Sequence, residues 1–324
     1  MSVAVIFPGQ GTQQAGMASA WRDHPSWSVV ERAEAALGEP LGRLVTDAPP
    51  EALSRTREAQ LAVLVTSLVA WDALADLVDE PIAFAGHSLG QVTALIASGA
   101  LDLDDGVRFA ARRAELTQAA ADARPGRMAA LLGATPEQAD AACAAAPDAC
   151  WVANDNAPGQ VVIAGTPDGL DATSARAKEL GVKRVTPLAV GGAFHTPLMA
   201  DATAGLRGAL AELAIAAPDA PVVSNGDAAA YSDGDGWRDR LAEHVSVPVR
   251  WRPTMDTLTA MGATTFLEVG HGSMLAALAK RGAPGVAVHG VGAPDDVSTF
   301  RSTIQSVMQP VMQPVMQPVM QEAR

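Results

Sequence analysis

The segment that most constrains the fold is a glycine-rich turn at residues 86–90, between an apolar run and a helical pattern. Residues 82–85 read IAFA, the turn reads GHSLG, and residues 92–97 continue as VTALIA. A G-x-S-x-G turn between a strand and a helix is typical of the nucleophile elbow, which holds its serine at the head of a helix. The two glycines suit a turn too tight for a Cβ atom. We therefore predict an α/β enzyme with Ser88 as its nucleophile.

A nucleophilic serine needs a general base, and the chain has six histidines. His195 follows an apolar segment and a glycine pair and precedes Thr-Pro, which is typical of a loop–helix junction. A histidine in a loop is more often a surface residue, so its position alone leaves both interpretations open. His87 lies inside the elbow, and we expect it to line the site rather than to deprotonate its neighbour.

The N-terminus adds a glycine-rich loop, PGQGTQ at residues 8–13, directly after an apolar strand at residues 3–7. In an α/β sheet this places the loop at the carboxyl edge, where such folds bind their ligands. The loop lacks the lysine and the spacing of a phosphate-binding loop, which argues against a nucleotide. A backbone N–H of this loop could complete an oxyanion hole with that of Leu89, the residue after the serine.

Taken together, these segments resemble the malonyl-CoA:acyl carrier protein transacylases and the acyltransferase domains of polyketide synthases. The resemblance extends from Val3 to about Ala293. It rests on several short motifs in the family's order, namely FPGQG at 7–11, GHSLG at 86–90, RRAEL at 112–116, NAPGQVVIAG at 156–165 and GAFH at 192–195.

The resemblance implies a role for each matching residue. Ser88 would attack the thioester carbonyl and become the acyl-enzyme, and His195 would take its proton and return it to the departing thiol. The backbone N–H groups of Gln10 and Leu89 would hold the oxyanion. Arg113 would bind the free carboxylate of the malonyl group, since a guanidinium can donate two parallel hydrogen bonds to a carboxylate and a lysine cannot. From position alone, Arg113 could also be a solvated surface residue.

Four further residues are expected in the substrate site: His87, Asn156, Phe194 and Arg250. In relatives a bulky residue at the position of Phe194 goes with malonyl rather than branched acyl groups. Arg250 stands where a glutamine is common in relatives. In those relatives the backbone carbonyl at this position, rather than a carboxylate, orients the catalytic histidine. We therefore expect a Ser–His dyad. The sequence GHGS at 270–273 replaces a frequent GPGK and so lacks a basic residue for CoA or carrier protein.

The fold class is predicted to be α/β, with two domains. Residues 1–124 and 192–306 alternate apolar strands with amphipathic segments, as in a mostly parallel sheet flanked by helices, and we expect an α/β-hydrolase-like catalytic domain. Residues 125–191 show the order βαββαβ of a ferredoxin-like domain, inserted into the larger one. The active site would lie in the cleft between the two domains.

Residues 307–324 repeat Val-Met-Gln-Pro. A proline at every fourth position forbids a continuous helix, so we expect an extended or disordered low-complexity tail. A docking peptide is the alternative interpretation, and neither gives the tail a catalytic part.

Composition excludes several function classes. With two cysteines, Cys143 and Cys150, the chain has neither a disulfide framework nor a metal-ligand set, which fits a reducing cytoplasm. The first residues show no basic region and cleavage site, because a strand and the glycine-rich loop begin at once, so we expect no signal peptide. The longest uncharged apolar run, at residues 59–71, is too short to span a membrane and predicts a buried core helix.

A net charge of −13 argues against nucleic acid as a partner. CoA and carrier proteins are themselves anionic, so local basic groups would have to recognise them. The candidates are Arg113, Lys183, Arg184, Arg250, Arg252, Lys280 and Arg281.

We therefore expect an S-malonyltransferase that carries malonyl from malonyl-CoA to the phosphopantetheine thiol of holo acyl carrier protein, by a ping-pong reaction through Ser88. Its pathway would be fatty acid synthesis. We expect no cofactor and no metal, and a cytoplasmic monomer.

The alternatives to this function are a trans-acting acyltransferase serving a polyketide synthase, and a serine thioesterase or hydrolase. A hydrolase would normally carry an acid between its serine and its histidine in chain order. Asp155, Asp168 and Asp171 fall there, but all lie in the inserted domain, away from the strand expected to carry the acid. A docking module without catalysis would not need Ser88, His195 and Gln10 together.

Overall fold

The computed structural model describes residues 1–308, which form two β-sheets and their surrounding helices. The strands are β1 (Val3–Phe7), β2 (Ala83–Gly86), β3 (Arg127–Leu132), β4 (Cys150–Ala157), β5 (Gln160–Gly165), β6 (Arg184–Pro187), β7 (Val222–Val223), β8 (Ala230–Tyr231), β9 (Thr265–Val269) and β10 (Ala287–Val291).

The α-helices lie between these strands, singly or in succession, and after the last of them. They are α1 (Ser28–Leu37), α2 (Leu41–Thr46), α3 (Pro50–Leu53), α4 (Thr56–Asp72), α5 (Gly90–Ala97), α6 (Leu103–Ala123), α7 (Pro136–Cys143), α8 (Pro167–Glu179), α9 (Ala200–Leu210), α10 (Trp237–Glu243), α11 (Trp251–Ala260), α12 (Met274–Gly282) and α13 (Pro294–Met308). Short 3₁₀ turns lie at Ser19–Trp21, Pro25–Trp27, Ala75–Leu77 and Pro197–Met199.

The larger sheet has six strands in the order β10-β9-β1-β2-β7-β8, parallel throughout except for the β7–β8 pair. Its strands β1, β2 and β9 are buried along their whole length, because helices cover both faces. The helices α4 and α6 pack on one face, and α11 and α12 pack on the other. The predicted α/β class with a mostly parallel sheet is confirmed.

The register of β1 and β2 decides where the predicted loops meet. Phe7 pairs with Gly86, so the two strands end side by side at the carboxyl edge of the sheet. The backbone N–H of His87 donates to the carbonyl of Phe7 at 2.9 Å, which extends this pairing into the turn. The glycine-rich loop at 8–13 and the elbow therefore emerge next to each other.

The smaller sheet has four antiparallel strands in the order β4-β5-β3-β6. Helices α7 and α8 cover one of its faces. A capping box begins α7, since the Thr135 hydroxyl accepts from the Gln138 N–H and the Gln138 side chain accepts from the Thr135 N–H. The elements follow the predicted βαββαβ order, inserted between α6 and α9 of the larger unit.

Strand β4 keeps pairing with β5 as far as Ala157, across two register shifts. The predicted core helix is confirmed as α4, which packs against α6 and is buried around nearly all its circumference.

Cys143 and Cys150 are both free thiols. Within residues 1–308, no helix combines the length and the apolar character that crossing a membrane requires. Of the predicted tail, Val307 and Met308 end α13, and the rest lies outside the described residues.

Candidate active site

The elbow is a tight connection between β2, which ends at Gly86, and α5, which begins at Gly90. A Cβ on Gly86 would lie 1.8 Å from the carbonyl oxygen of Gly90, and a Cβ on Gly90 would lie 2.2 Å from that of Phe7. Only glycine fits at either position. Ser88 itself has a φ of 53°, in the left-handed region that non-glycine residues rarely adopt. This backbone holds the serine hydroxyl out at the edge of the sheet.

Ser88 and His195 form a hydrogen-bonded pair, with 2.8 Å between Oγ and Nε2. On the other side of the ring, His195 Nδ1 lies 2.9 Å from the carbonyl oxygen of His244 and 3.2 Å from that of Val247. Carbonyl oxygens only accept hydrogen bonds, so Nδ1 carries the proton. Nε2 is then free to accept from the Ser88 hydroxyl, which is the tautomer that a general base needs.

The group that orients His195 is therefore backbone, as expected for a dyad, but it is not the one that we predicted. The carbonyl of Arg250 accepts from the backbone N–H and the hydroxyl of Thr254 instead, at the start of α11. The carbonyls of His244 and Val247 reach His195 because the chain there turns back towards the dyad after α10.

Burial keeps His195 neutral. It lowers the pKa of this histidine to about 3, and the positive charge of Arg113 contributes in the same direction. Burial also lowers the pKa of His87 and of His244. At neutral pH the imidazole of His195 is thus available as a base, although a weak one in the absence of substrate.

Arg113 lies on α6 with only 4% of its surface exposed. Its guanidinium donates to the side-chain oxygen of Gln60 at 2.7 Å and to Ser88 Oγ at 3.3 Å. Burial lowers its pKa to about 10, so it stays charged at neutral pH. No carboxylate within residues 1–308 forms an ion pair with it. A buried cation without an anion is costly, and a substrate carboxylate would supply the missing charge.

The loops around the dyad provide two candidate oxyanion donors. Leu89 precedes α5, and Gln10 lies in the loop after β1. The two loops are in close contact, since a Cβ on Gly9 would lie 2.3 Å from the carbonyl oxygen of His87. Neither the Gln10 N–H nor the Leu89 N–H donates to another residue in the described part of the chain. Both remain available to a ligand oxygen.

A cavity of about 440 Å³ opens over the dyad, between the carboxyl edge of the larger sheet and the free face of the smaller one. Charged and polar groups line its inner end, and the smaller sheet supplies an apolar wall. Its lining includes Gln10, Gln60, His87, Ser88, Arg113, Met128, Ala130, Asn156, Val162, Phe194 and His195.

The structure places three of the four additional predicted residues in this cavity. His87 Nε2 lies 2.9 Å from Asn156 Oδ1, which links the elbow to β4, and half-buried Phe194 lines the cavity beside His195. Arg250 is exposed and does not line the cavity. The prediction that its side chain binds substrate there is not supported.

The family model for the acyl transferase domain matches residues 4–304, which is nearly the whole described chain. The chain belongs to the acyl transferase family. It is 36% identical over 284 residues to the malonyl CoA-acyl carrier protein transacylase of Bacillus subtilis, covering 86% of this chain and 90% of the relative. The enzyme of the same name from Escherichia coli K12 is also 36% identical, over 86% of this chain and 92% of the relative.

Solved structures of this acyl transferase family superpose closely. An acyl-carrier-protein S-malonyltransferase from Burkholderia pseudomallei has a TM-score of 0.89 at 36% identity, covering 93% of this chain and all (100%) of the other. A malonyl-transacylase in complex with a type II PKS acyl-carrier protein has a TM-score of 0.89 at 32% identity, covering 94% of this chain and 100% of the other.

Three site residues of this acyl transferase were not among the predicted ones. Gln60 is a polar residue inside the apolar run at residues 59–71, and that contrast was the available signal. Asn225 accepts from the backbone N–H of Ser88 at 2.8 Å, and His244 lies behind His195. Nothing in the local sequence marks these two. Within residues 1–308, no three histidine, cysteine or acidic side chains cluster in a way that could hold a metal.

Proposed function

We propose that the chain is an acyl-carrier-protein S-malonyltransferase, which moves malonyl from malonyl-CoA to the phosphopantetheine thiol of holo acyl carrier protein. The observation that carries the proposal is the buried guanidinium of Arg113, unpaired with any described carboxylate and 3.3 Å from Ser88 Oγ. A cation at this distance from the nucleophile suits an acyl group that ends in a carboxylate. Relatives named malonyl CoA-acyl carrier protein transacylase support the same substrate.

In the first half-reaction, Ser88 Oγ attacks the thioester carbonyl carbon while His195 Nε2 takes its proton. The carbonyl oxygen becomes an oxyanion, which the N–H groups of Gln10 and Leu89 stabilise. When the C–S bond breaks, CoA leaves as a thiol with the proton from His195. The malonyl group remains on Ser88 as an ester, and its carboxylate lies on Arg113.

In the second half-reaction, His195 takes the proton of the carrier-protein thiol, and the sulfur attacks the ester carbonyl. The same oxyanion site stabilises the new tetrahedral intermediate. The C–O bond then breaks, and the proton of His195 returns to Ser88 Oγ. One imidazole therefore acts as base and as acid in both halves, which requires that it start neutral, as burial makes it.

The anionic partners would meet basic side chains at the cavity entrance. Arg281 on α12 donates to Gln160, which lines the cavity. Lys183 packs against Gly133, whose backbone bonds to the Gly159 carbonyl beside Gln160. Arg252, one of the predicted candidates, is less available because it forms an ion pair with Asp155 at 2.7 Å.

We also infer the finer architecture and setting. Residues 1–124 and 192–306 are assigned to an α/β-hydrolase-like domain and residues 125–191 to a ferredoxin-like one. The strand order β4-β5-β3-β6, with both helices on one face, supports the second assignment. We propose a monomer that works in the cytoplasm without a cofactor.

Two other functions remain as proposals to be tested. A trans-acting acyltransferase of polyketide synthesis would use the same site, and the PKS carrier-protein complex among the structural relatives favours including it. A serine thioesterase would hydrolyse the malonyl-enzyme and release malonate. A hydrolase of neutral esters would have no use for a cation beside the nucleophile, and His195 is oriented by carbonyls rather than by the acid that serine hydrolases normally carry.

The decisive experiment incubates the protein with malonyl-CoA alone and then with holo acyl carrier protein. A transferase forms a covalent malonyl-protein and releases CoA steadily only when the acceptor is added, whereas a thioesterase releases CoA without it. Ser88→Ala should abolish the covalent adduct, and His195→Ala should slow both half-reactions about 100-fold or more. Malonylation of Ser88→Ala would show that the nucleophile is assigned wrongly. Carrier proteins from fatty acid and polyketide synthesis, compared as acceptors, separate the two pathways.

A further inference from the structure

A second layer of hydrogen bonds lies behind the Ser88–His195 pair. Asn225 is fully buried, and its Oδ1 accepts from the backbone N–H of Ser88 at 2.8 Å. His244 is also buried, with 3% of its surface exposed, and its Nε2 lies 3.2 Å from the same oxygen. Because that oxygen can only accept, His244 Nε2 carries the proton and donates it. His244 Nδ1 is then unprotonated, and it has no hydrogen-bond partner in the described part of the chain.

The same residue also holds the general base. The backbone carbonyl of His244 accepts from His195 Nδ1–H at 2.9 Å, and the two imidazole rings lie 5.3 Å apart. The hydrogen bonds therefore close a loop that runs from the Ser88 N–H through Asn225, His244 and His195 back to Ser88 Oγ. Through this loop, both groups are linked to His244: the backbone of the nucleophile through Asn225 and the imidazole of His244, and the ring of the base through the His244 backbone carbonyl.

This loop supports two strained positions. Ser88 has a φ of 53° and His195 a φ of 62°, both in the left-handed region. Such conformations persist only where the surroundings hold them. Asn225 is itself fixed by backbone bonds, since its N–H donates to Gln91 Oε1 and its carbonyl accepts from the Arg250 N–H, each at 2.9 Å. The loop thus links the strained residues to the start of α5.

We propose that the imidazole of His244 is a positioning residue, which sets the distance between Ser88 Oγ and His195 Nε2 through its hydrogen bond to Asn225. The assignment rests on the proposed transferase function, because it refers to the same dyad. His244 touches neither substrate nor reacting atoms. Its loss therefore lowers kcat in both half-reactions and leaves KM for malonyl-CoA unchanged, since the groups that bind the acyl chain stay in place.

Two variants of equal side-chain length isolate the hydrogen bond. In His244→Gln, the amide nitrogen reaches the position of Nε2 and can still donate to Asn225. In His244→Met, a flexible apolar chain fills the same space without a donor. We expect His244→Gln to stay within about threefold of wild type in kcat. His244→Met should lose about 10-fold to 100-fold, because small displacements of catalytic groups cost about that much.

The assay measures kcat and KM for malonyl transfer, with the thermal midpoint as the control for folding. A second readout is the rate at which a fluorophosphonate probe labels Ser88. This rate measures the reactivity of the serine when no acyl substrate is present. Should His244→Met be unstable, Asn225→Leu removes the acceptor of both the His244 imidazole and the Ser88 N–H, and it should show at least the same loss.

The outcomes separate the two proposals. If wild type is labelled by the probe but does not transfer malonyl, the proposed function fails, and the labelling rates still test His244. Equal kcat and labelling rates in His244→Met, His244→Gln and wild type would overturn the positioning role. So would an equal loss in both variants, because a hydrogen-bond role predicts rescue by glutamine.

Discussion

Replacement of Arg113 by alanine should convert the protein from a malonyl-selective to an unselective acyltransferase. Arg113 is 4% exposed, and its two terminal nitrogens contact Gln60 and Ser88. Without it, a malonyl carboxylate would enter a mostly dry site with no cation to meet it. Loss of one partner of a buried charged pair costs about 2–5 kcal/mol, which corresponds to about 30-fold to a few thousand-fold in kcat/KM.

An acetyl group carries no charge at that position and loses nothing by the substitution, so Arg113→Ala should keep or gain activity towards acetyl-CoA. Arg113→Lys should recover only part of the malonyl activity, since an ammonium keeps the charge without the two-pronged geometry. The measurement is kcat/KM for malonyl-CoA and acetyl-CoA in wild type and in both variants.

Arg112→Ala is the matched control. That arginine is the neighbour of Arg113 on α6, but it is exposed and pairs with Glu115 at 3.1 Å. It should change neither substrate's kcat/KM by more than about twofold, because surface ion pairs contribute little. An equal loss for malonyl-CoA and acetyl-CoA in Arg113→Ala would refute the reasoning and make Arg113 a structural residue.

Three further predictions follow from the same structure. With acetyl-CoA as substrate, the acidic limb of the kcat/KM profile against pH should move to higher pH in Arg113→Ala. Loss of the positive charge raises the pKa of His195, so the inactive protonated form of this histidine persists to higher pH. An acidic limb at the same pH as in wild type would contradict this prediction. Gly86→Ala should lower the thermal midpoint sharply, since its Cβ would lie 1.8 Å from the Gly90 carbonyl oxygen, whereas Gly208→Ala in open helical space should slightly raise it. Glu268→Ala should cost about 2–4 kcal/mol in urea unfolding, more than Glu268→Gln, because it leaves two N–H groups at the start of α12, one buried and one half-buried, without an acceptor.

The elements that could be predicted from sequence are those with local causes. The elbow needs two glycines and a serine within five residues, and the capping box at Thr135 needs a glutamine three positions later. The alternation of apolar runs and helices indicated the α/β class. The roles of Arg113 and Gln10 came from resemblance, since one arginine in a helix carries no local sign of what it faces.

The parts that could not be predicted depend on tertiary contacts. Asn225 reaches the elbow because β7 lies beside β2 in the sheet, an order that the chain sequence does not show. The carbonyls of His244 and Val247, rather than that of Arg250, orient His195, and a backbone carbonyl has no residue type to recognise. Arg252 was a candidate for binding anionic partners by sequence, but its ion pair with Asp155 depends on a tertiary contact that the sequence does not reveal.

Under the proposed function, Arg113 connects selectivity with catalysis. In the free protein its charge adds to burial in lowering the pKa of His195, which weakens the base. A malonyl carboxylate bound to the guanidinium cancels that charge in a site of low dielectric, so the basicity of His195 rises as the correct substrate arrives. An acetyl group has no such carboxylate and leaves the positive charge uncompensated, so His195 remains a weak base. The arginine therefore disfavours acetyl groups in the chemical step as well as in binding. Its buried, unpaired charge is costly in the free protein, but it makes activation of Ser88 depend on the charge of the substrate.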